Sequence, residues 1–154
     1  MKVRLIALAH GRSGDKGDLV NIGIIARREE WYELLTRELP AERVEGWLEP
    51  LDVGPVERYE LPNLGALNFL VRSALGGGGS MNLRLDAQGK TFAQAVLRMP
   101  LEVDEDTGAA LRSHWGGTLP GYCLPIAGRA PAADRGRSDP DSAGSARPSP
   151  GRRN

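Results

Sequence analysis

The first hundred residues alternate short apolar runs with polar segments. In residues 3–9, apolar side chains would lie on both faces of an extended chain, which predicts a strand covered on both sides. The short β-branched run 22–26 indicates a second strand. Between them, residues 11–18 hold three glycines and two aspartates, and this composition predicts a loop at one edge of a sheet.

Helical spacing replaces this pattern after residue 29. Two apolar stripes, one ending before Pro40 and one before Pro50, each predict a short helix. A strand is expected at 56–61, a helix along the stripe 64, 67, 71 and 75, a strand at 81–85 and a last helix at 92–99. The sequence therefore predicts an α+β, two-layer fold, with a four-stranded sheet and helices mainly on one face.

The character of the chain changes twice towards its carboxyl end. Residues 1–103 make up the predicted domain, and residues 104–127 keep scattered apolar side chains, which favour an extended arm docked on the domain. Residues 128–154 contain no aromatic residue and no Ile, Leu, Val or Met. Because nothing there can offset the entropy of ordering, we expect a disordered tail.

Charge and composition exclude several classes of function. Twenty basic residues balance twenty acidic ones, which gives no electrostatic case for binding nucleic acid or a membrane surface. One cysteine and two histidines predict no disulfide and no metal site. No apolar run is long enough to span a membrane, so we expect a soluble, cytoplasmic protein. No cofactor is predicted.

The glycine-rich segment 11–18 is the first candidate for chemistry. Its glycines, with Arg12, Ser13 and Lys16, suit a phosphate or carboxylate that approaches main-chain amides. The candidates for proton transfer in and beside this segment are His10, Asp15, Lys16 and Asp18. The alternative is a tight turn in which the aspartates cap amides and pair with Lys16.

A second glycine-rich segment and two asparagines complete the candidate set. Gly76, Gly77, Gly78 and Gly79 are compatible with a flexible connection, and also with a main-chain rim beside a ligand. Asn68 either faces a site or hydrogen-bonds its own helix. The candidate ligand-binding residues are Arg12, Ser13, Gly14, Lys16, Gly17, Asn21, Asn68 and Gly76, Gly77, Gly78 and Gly79.

Four blocks together resemble one known family. Residues 11–18 with 21–27, then 58–69, 74–79 and 83–91 are similar, in this order, to the carboxy-terminal domain of the acyclic terpene utilisation protein A (AtuA) family. The resemblance implies a ferredoxin-like fold and pairing with a separately encoded large AtuA-type subunit. It also implies a place in the catabolism of terpene-related or branched acyl-CoA compounds, with a CoA ester as a candidate substrate.

The resemblance supplies no catalytic residues and does not decide whether the chain is an enzyme. Catalysis is expected only within a complex with a larger subunit. The alternative is a non-catalytic binding or assembly module. The sequence also leaves open whether the chain forms a homo-oligomer.

Overall fold

The computed structural model describes residues 1–83 and 85–126. Within these ranges a four-stranded antiparallel sheet has the order β2-β3-β5-β4, and a small second sheet pairs β1 with β6. The strands are β1 (Lys2–Arg4), β2 (Ala9–Lys16), β3 (Leu19–Ala26), β4 (Val56–Leu61), β5 (Ala66–Val71) and β6 (Pro100–Glu102). The predicted α+β, ferredoxin-like class with a four-stranded sheet is confirmed.

Helices cover one face of the large sheet. They are α1 (Tyr32–Glu38), α2 (Ala41–Leu48) and α3 (Phe92–Leu97). A fourth helix, α4 (Glu105–His114), follows β6. The register places Ile22 beside Phe69, and both side chains are fully buried in the core under these helices. On the opposite face Ile25, Tyr59 and Leu61 are exposed, so the sheet has one covered side and one open side.

The predicted loop 11–18 is wrong, because most of it is strand β2. Lys16 pairs with Leu19, so the hairpin turn is only Gly17 and Asp18, and Gly17 takes the positive φ of 67° that such a turn requires. Glycine is needed inside the strand too, since a Cβ on Gly11 would lie 3.1 Å from Leu97 of α3. The apolar run 3–9 is also not one strand, because residues 5–7 form a 3-10 helix.

The helix expected at 64–75 is likewise wrong. Residues 66–71 form β5, the strand that lies between β3 and β4 in the sheet. Leu67, Phe69 and Val71 alternate towards the core, and this period of two decides the structure over the coincidental helical spacing. Gly65, with φ of 56°, allows the tight connection from β4.

The strand expected at 81–85 is absent from the described part of this segment. Met81, Leu83 and Leu85 alternate in sequence, but all three side chains are exposed. In the described part of this segment, none of these residues pairs with β2 or β4, the end strands of the large sheet. The strand β6, at residues 100–102, was not predicted.

The segment beyond residue 103 differs from the expected extended arm. Asp104 caps α4 by accepting a hydrogen bond from the Thr107 amide at 2.7 Å. Leu111 on this helix is fully buried, and Trp115 after it donates from Nε1 to the Ala7 carbonyl oxygen at 3.2 Å. The helix is therefore part of the folded unit. The predicted disordered tail, 128–154, lies outside the described residues.

No described helix combines the length and the apolar character needed to cross a membrane.

Candidate ligand-binding site

Strand register gathers several sequence-predicted residues on the open face of the sheet. Alternate residues of β2 point to this face, and Arg12 pairs with Gly23, which in turn pairs with Asn68 on β5. Gly14 pairs with Asn21 in the next row. Arg12, Asn21 and Asn68, named from three separate parts of the sequence, thus share one surface.

Two glycines on this surface carry no side chain, so other side chains can lie close to the sheet there. The Cγ of Arg12 lies 3.6 Å from the position of a Cβ on Gly23, so the Arg12 side chain extends over that glycine. The Nζ of Lys90 lies 3.1 Å from the corresponding point on Gly14. We call the surface formed by Arg12, Lys16, Lys90, Asn21 and Asn68, with its floor of Gly14 and Gly23, the cationic patch.

Lys90 was not among the residues predicted from the sequence. It follows a turn in which both carboxylate oxygens of Asp86 accept hydrogen bonds, from the Lys90 amide at 2.6 Å and from the Thr91 amide and hydroxyl at 2.8 and 2.6 Å. Burial raises the pKa of Asp86, but these hydrogen bonds outweigh it and leave the pKa below its ordinary value. The ionised carboxylate holds the start of α3 and so positions Lys90.

A close contact fixes the same turn against the sheet. Gly89 has φ of 62°, and a Cβ there would lie 2.4 Å from Cγ2 of Val20 on β3. The signal in the sequence was the order of Asp86, Gly89 and Thr91, which is typical of a capped turn rather than of the strand predicted just before it.

The two glycine-rich segments meet at Asp18. The main-chain oxygen of Asp18 accepts hydrogen bonds from the amides of Ala74 and Leu75 at 3.0 and 3.2 Å, and its Oδ1 accepts one from the Gly77 amide at 2.7 Å. A Cβ on Gly78 would lie 3.3 Å from the carbonyl oxygen of Gly17. The Asp18 carboxylate therefore anchors the segment 76–79 to the hairpin turn.

Ser13 and Asp15 point away from the patch, towards the helices. The Ser13 hydroxyl accepts a hydrogen bond from the Ala93 amide at 3.0 Å, at the start of α3. The Asp15 carboxylate lies 3.9 Å from Lys90 Nζ, so Lys90 stands between Asp15 and the open face. Ser13 thus has a structural contact, and Asp15 acts on the patch only through Lys90.

His10 is separated from the other candidates for proton transfer. It lies five residues before Asp15 on the same strand, a distance of roughly 16 Å in extended chain. Its Nε2 is 3.0 Å from Nη1 of Arg27. Burial, Arg27 and His114 lower the pKa of His10, so its neutral ring accepts a hydrogen bond from the guanidinium. The structure does not bring together His10 and the carboxylates of Asp15 and Asp18.

An apolar cavity of about 170 Å³ adjoins the Asp86 turn. Leu51, Leu75, Phe92 and the turn residues Asp86 and Thr91 contribute to its lining. The turn that positions Lys90 therefore also borders a space suited to a small apolar group. In the described ranges no three His, Cys, Asp or Glu side chains are arranged to hold a metal ion.

The architecture defines a class of small α+β domains built on an antiparallel sheet. Comparison with protein-family models matches residues 3–102 to the AtuA ferredoxin-like domain. The match covers more than half of the chain, and the chain belongs to this family. Helix α4 lies beyond the matched residues. No curated protein and no solved structure matches the chain.

Proposed function

We propose that this chain is the small subunit of an assembly with a larger AtuA-type protein, in the catabolism of terpene-related or branched acyl-CoA compounds. Its contribution is to bind an anionic group of the ligand at the cationic patch. The observation that carries this proposal is the convergence of Arg12, Lys16 and Lys90 around Gly14 on one open surface.

The chemistry of the patch suits a phosphate or a carboxylate. Arg12 offers a planar guanidinium that can donate two parallel hydrogen bonds, while Lys16 and Lys90 add compact positive charges. Asn21 and Asn68 bring amide donors to the same face. The two floor glycines leave room for the Arg12 and Lys90 side chains to lie over the sheet, and a CoA ester carries several phosphates that these cations can bind.

Binding, rather than proton transfer, is the role that the contacts favour. Asp18 and Asp86 accept hydrogen bonds from main-chain amides, and the ring nitrogen of His10 faces Arg27. These groups hold the fold in place. We therefore assign the chemical step to the larger subunit and the recognition of charge to this chain.

A second candidate is an assembly module without a ligand. It is favoured by Ile25, Tyr59, Leu61 and Leu64, which are exposed large apolar side chains. Ile25 and Leu61 lie in one cross-strand row with Ala66 at the end of the sheet away from the hairpin turn. A patch of this kind suits a protein partner.

Titration of CoA distinguishes the two candidates. We would measure the dissociation constant by calorimetry for the full chain and for the assembly that copurifies with it. Arg12→Gln and Lys90→Gln should each weaken binding roughly tenfold, since each removes a charge-assisted hydrogen bond. Arg98→Gln, at an exposed position after α3, is the matched control and should bind like the parent chain.

The opposite pattern would support the assembly module. In that case CoA affinity is the same for the parent chain and for Arg12→Gln. Leu61→Asp then removes the larger partner, because it places a charge in the apolar row.

A further inference from the structure

Strand β2 lies at one end of the described sheet, and the main-chain pattern shows which of its groups face outwards. The Arg27 amide donates to the Leu8 carbonyl oxygen at 2.9 Å, which makes residues 8 and 27 a hydrogen-bonded pair just before the strand begins. Such pairs recur at every second residue, so His10, Arg12, Gly14 and Lys16 direct their main-chain groups to β3. The groups of Gly11, Ser13 and Asp15 point outwards.

These outward groups have no partner in the described parts of the chain. β2 is an end strand of the sheet, and no main-chain bond joins the amides or carbonyl oxygens of Gly11, Ser13 and Asp15 to another described residue. The strand is eight residues long, and all three residues are partly exposed. A row of this kind is a template for one more strand.

The other edge of the sheet, at β4, is protected. Pro55 and Pro62 flank this strand, and the Val56 amide donates to the Glu45 carboxylate of α2 at 3.0 Å. Arg58 and Glu60, whose main-chain groups face that edge, carry charged side chains that form an ion pair. Because prolines flank β4 and its first outward amide is already hydrogen-bonded, strand addition is disfavoured there, and β2 is the described edge of this sheet that is open to addition.

We propose that the β2 edge binds an extended acidic segment of a partner polypeptide by strand addition. Charge selects this occupant. Arg12 and Lys16 stand on the open face of the edge strand, and Lys90 lies at Gly14 beside them. An added strand with carboxylates at alternate positions would pair with these cations across the new ladder.

Two other occupants fit less well. A second copy of β2, paired antiparallel about Ser13, would place Lys16 opposite His10 of the other copy and bring the two cationic patches side by side. The chain's own segment 128–154 has six arginines against three aspartates, so it repeats the charge of the edge. The inference concerns the main-chain edge and holds independently of any acyl-CoA ligand.

Amide exchange on the full chain gives the first test. In the free protein the amides of Gly11, Ser13 and Asp15 should exchange faster than those of Arg12 and Gly14, which bond to β3. A synthetic octapeptide that alternates threonine and glutamate should bind saturably and slow the exchange of the three outward amides. The same peptide with lysine for glutamate, and an acidic peptide interrupted by proline, should not.

A pair of proline variants isolates the edge itself. Asp15→Pro removes an outward amide from β2 and should weaken binding of the acidic peptide roughly tenfold. Glu60→Pro removes an outward amide from β4 and should leave the affinity unchanged. Circular dichroism shows whether both variants fold. If either variant does not fold, amide exchange of the parent chain with and without the acidic peptide still tests the proposal.

Three results would overturn the proposal. One is no saturable binding of the acidic peptide at millimolar concentration. Another is equal binding of the lysine peptide, which would remove the charge selection. The third is protection of the outward amides that rises with protein concentration alone, which would assign the edge to a second copy of the chain.

Discussion

The ammonium nitrogen of Lys90 lies 3.1 Å from the point that a Cβ on Gly14 would occupy. The missing side chain therefore makes room for the lysine at the edge of the sheet. Lys90 also lies 3.9 Å from the Asp15 carboxylate, which draws the ammonium towards the same strand. One glycine in an exposed strand thus decides whether a third positive charge joins Arg12 and Lys16.

Gly14→Val separates stability from binding. Valine suits an exposed strand better than glycine, so the free energy of unfolding should stay the same or rise by up to about 1 kcal/mol. The new side chain displaces the Lys90 ammonium and fills the floor of the patch, so CoA should bind more weakly. Urea unfolding and calorimetry on the same sample measure both effects, and a variant that binds CoA as well as the parent would contradict the role of the glycine floor.

Gly89→Ala should be strongly destabilising. Its φ of 62° is unfavourable for alanine, and the added Cβ would lie 2.4 Å from Val20 Cγ2, so we expect a loss of about 2–4 kcal/mol in urea unfolding. Gly46→Ala is the control. Gly46 lies inside α2 with no atom within 4 Å of a new Cβ, and this change should stabilise by about 0.5–1 kcal/mol. Equal effects of the two changes would be inconsistent with the packed turn.

His10→Gln should flatten the dependence of stability on pH. The pKa of His10 is lowered in the folded chain, so the unfolded chain binds the proton more tightly. The stabilising contribution is complete above the ordinary value of 6.5 and is lost as the pH falls through that value towards the lower folded pKa. Glutamine can still accept a hydrogen bond from Arg27 but does not titrate.

Thermal or urea unfolding of both proteins from about pH 7 to about pH 5 measures this difference. The parent chain should lose more stability over this range than His10→Gln. The same slope in both proteins would mean that His10 does not contribute to it.

Leu111→Ala tests whether α4 belongs to the folded unit. Leu111 is fully buried, and its truncation should cost about 2–5 kcal/mol in the free energy of unfolding. Leu124→Ala is a matched change at an exposed leucine and should cost less than about 1 kcal/mol. If both changes have little effect, the helix is only loosely attached to the sheet domain.

The sequence predicts best where a periodic stripe ends at a proline. The stripes before Pro40 and Pro50 give α1 and α2, and residues 56–61 between two prolines give β4. In these segments the local pattern and the tertiary environment favour the same structure. The fold class follows from them even though the segments 3–9, 11–18, 64–75 and 81–85 were assigned wrongly.

Prediction fails where long-range pairing decides. β2 consists largely of glycine and polar residues, and it is a strand because β3 lies beside it and α3 covers it. β5 has helical spacing by coincidence, but pairing on both sides selects the alternate residues. Met81, Leu83 and Leu85 alternate with polar residues, but the described part of this segment pairs with no strand. The local pattern of a segment does not show which strand or helix will lie beside it in the fold.

The candidate site shows the same division. Arg12, Lys16, Asn21 and Asn68 were identified from residue type, and register places them on one face. Lys90 was missed because its position depends on hydrogen bonds to Asp86 and on the close approach of Gly89 to β3. Ser13 and Asp18 were included because of their chemistry, but main-chain contacts account for both.

The subunit role is tested most directly by purifying the tagged full chain from its native cells under gentle conditions. Native mass spectrometry then measures what copurifies and in what ratio. We expect a large AtuA-type protein at near-equal stoichiometry, both with the parent chain and with Arg12→Gln. Recovery of the chain alone, or only as copies of itself, would contradict the subunit role.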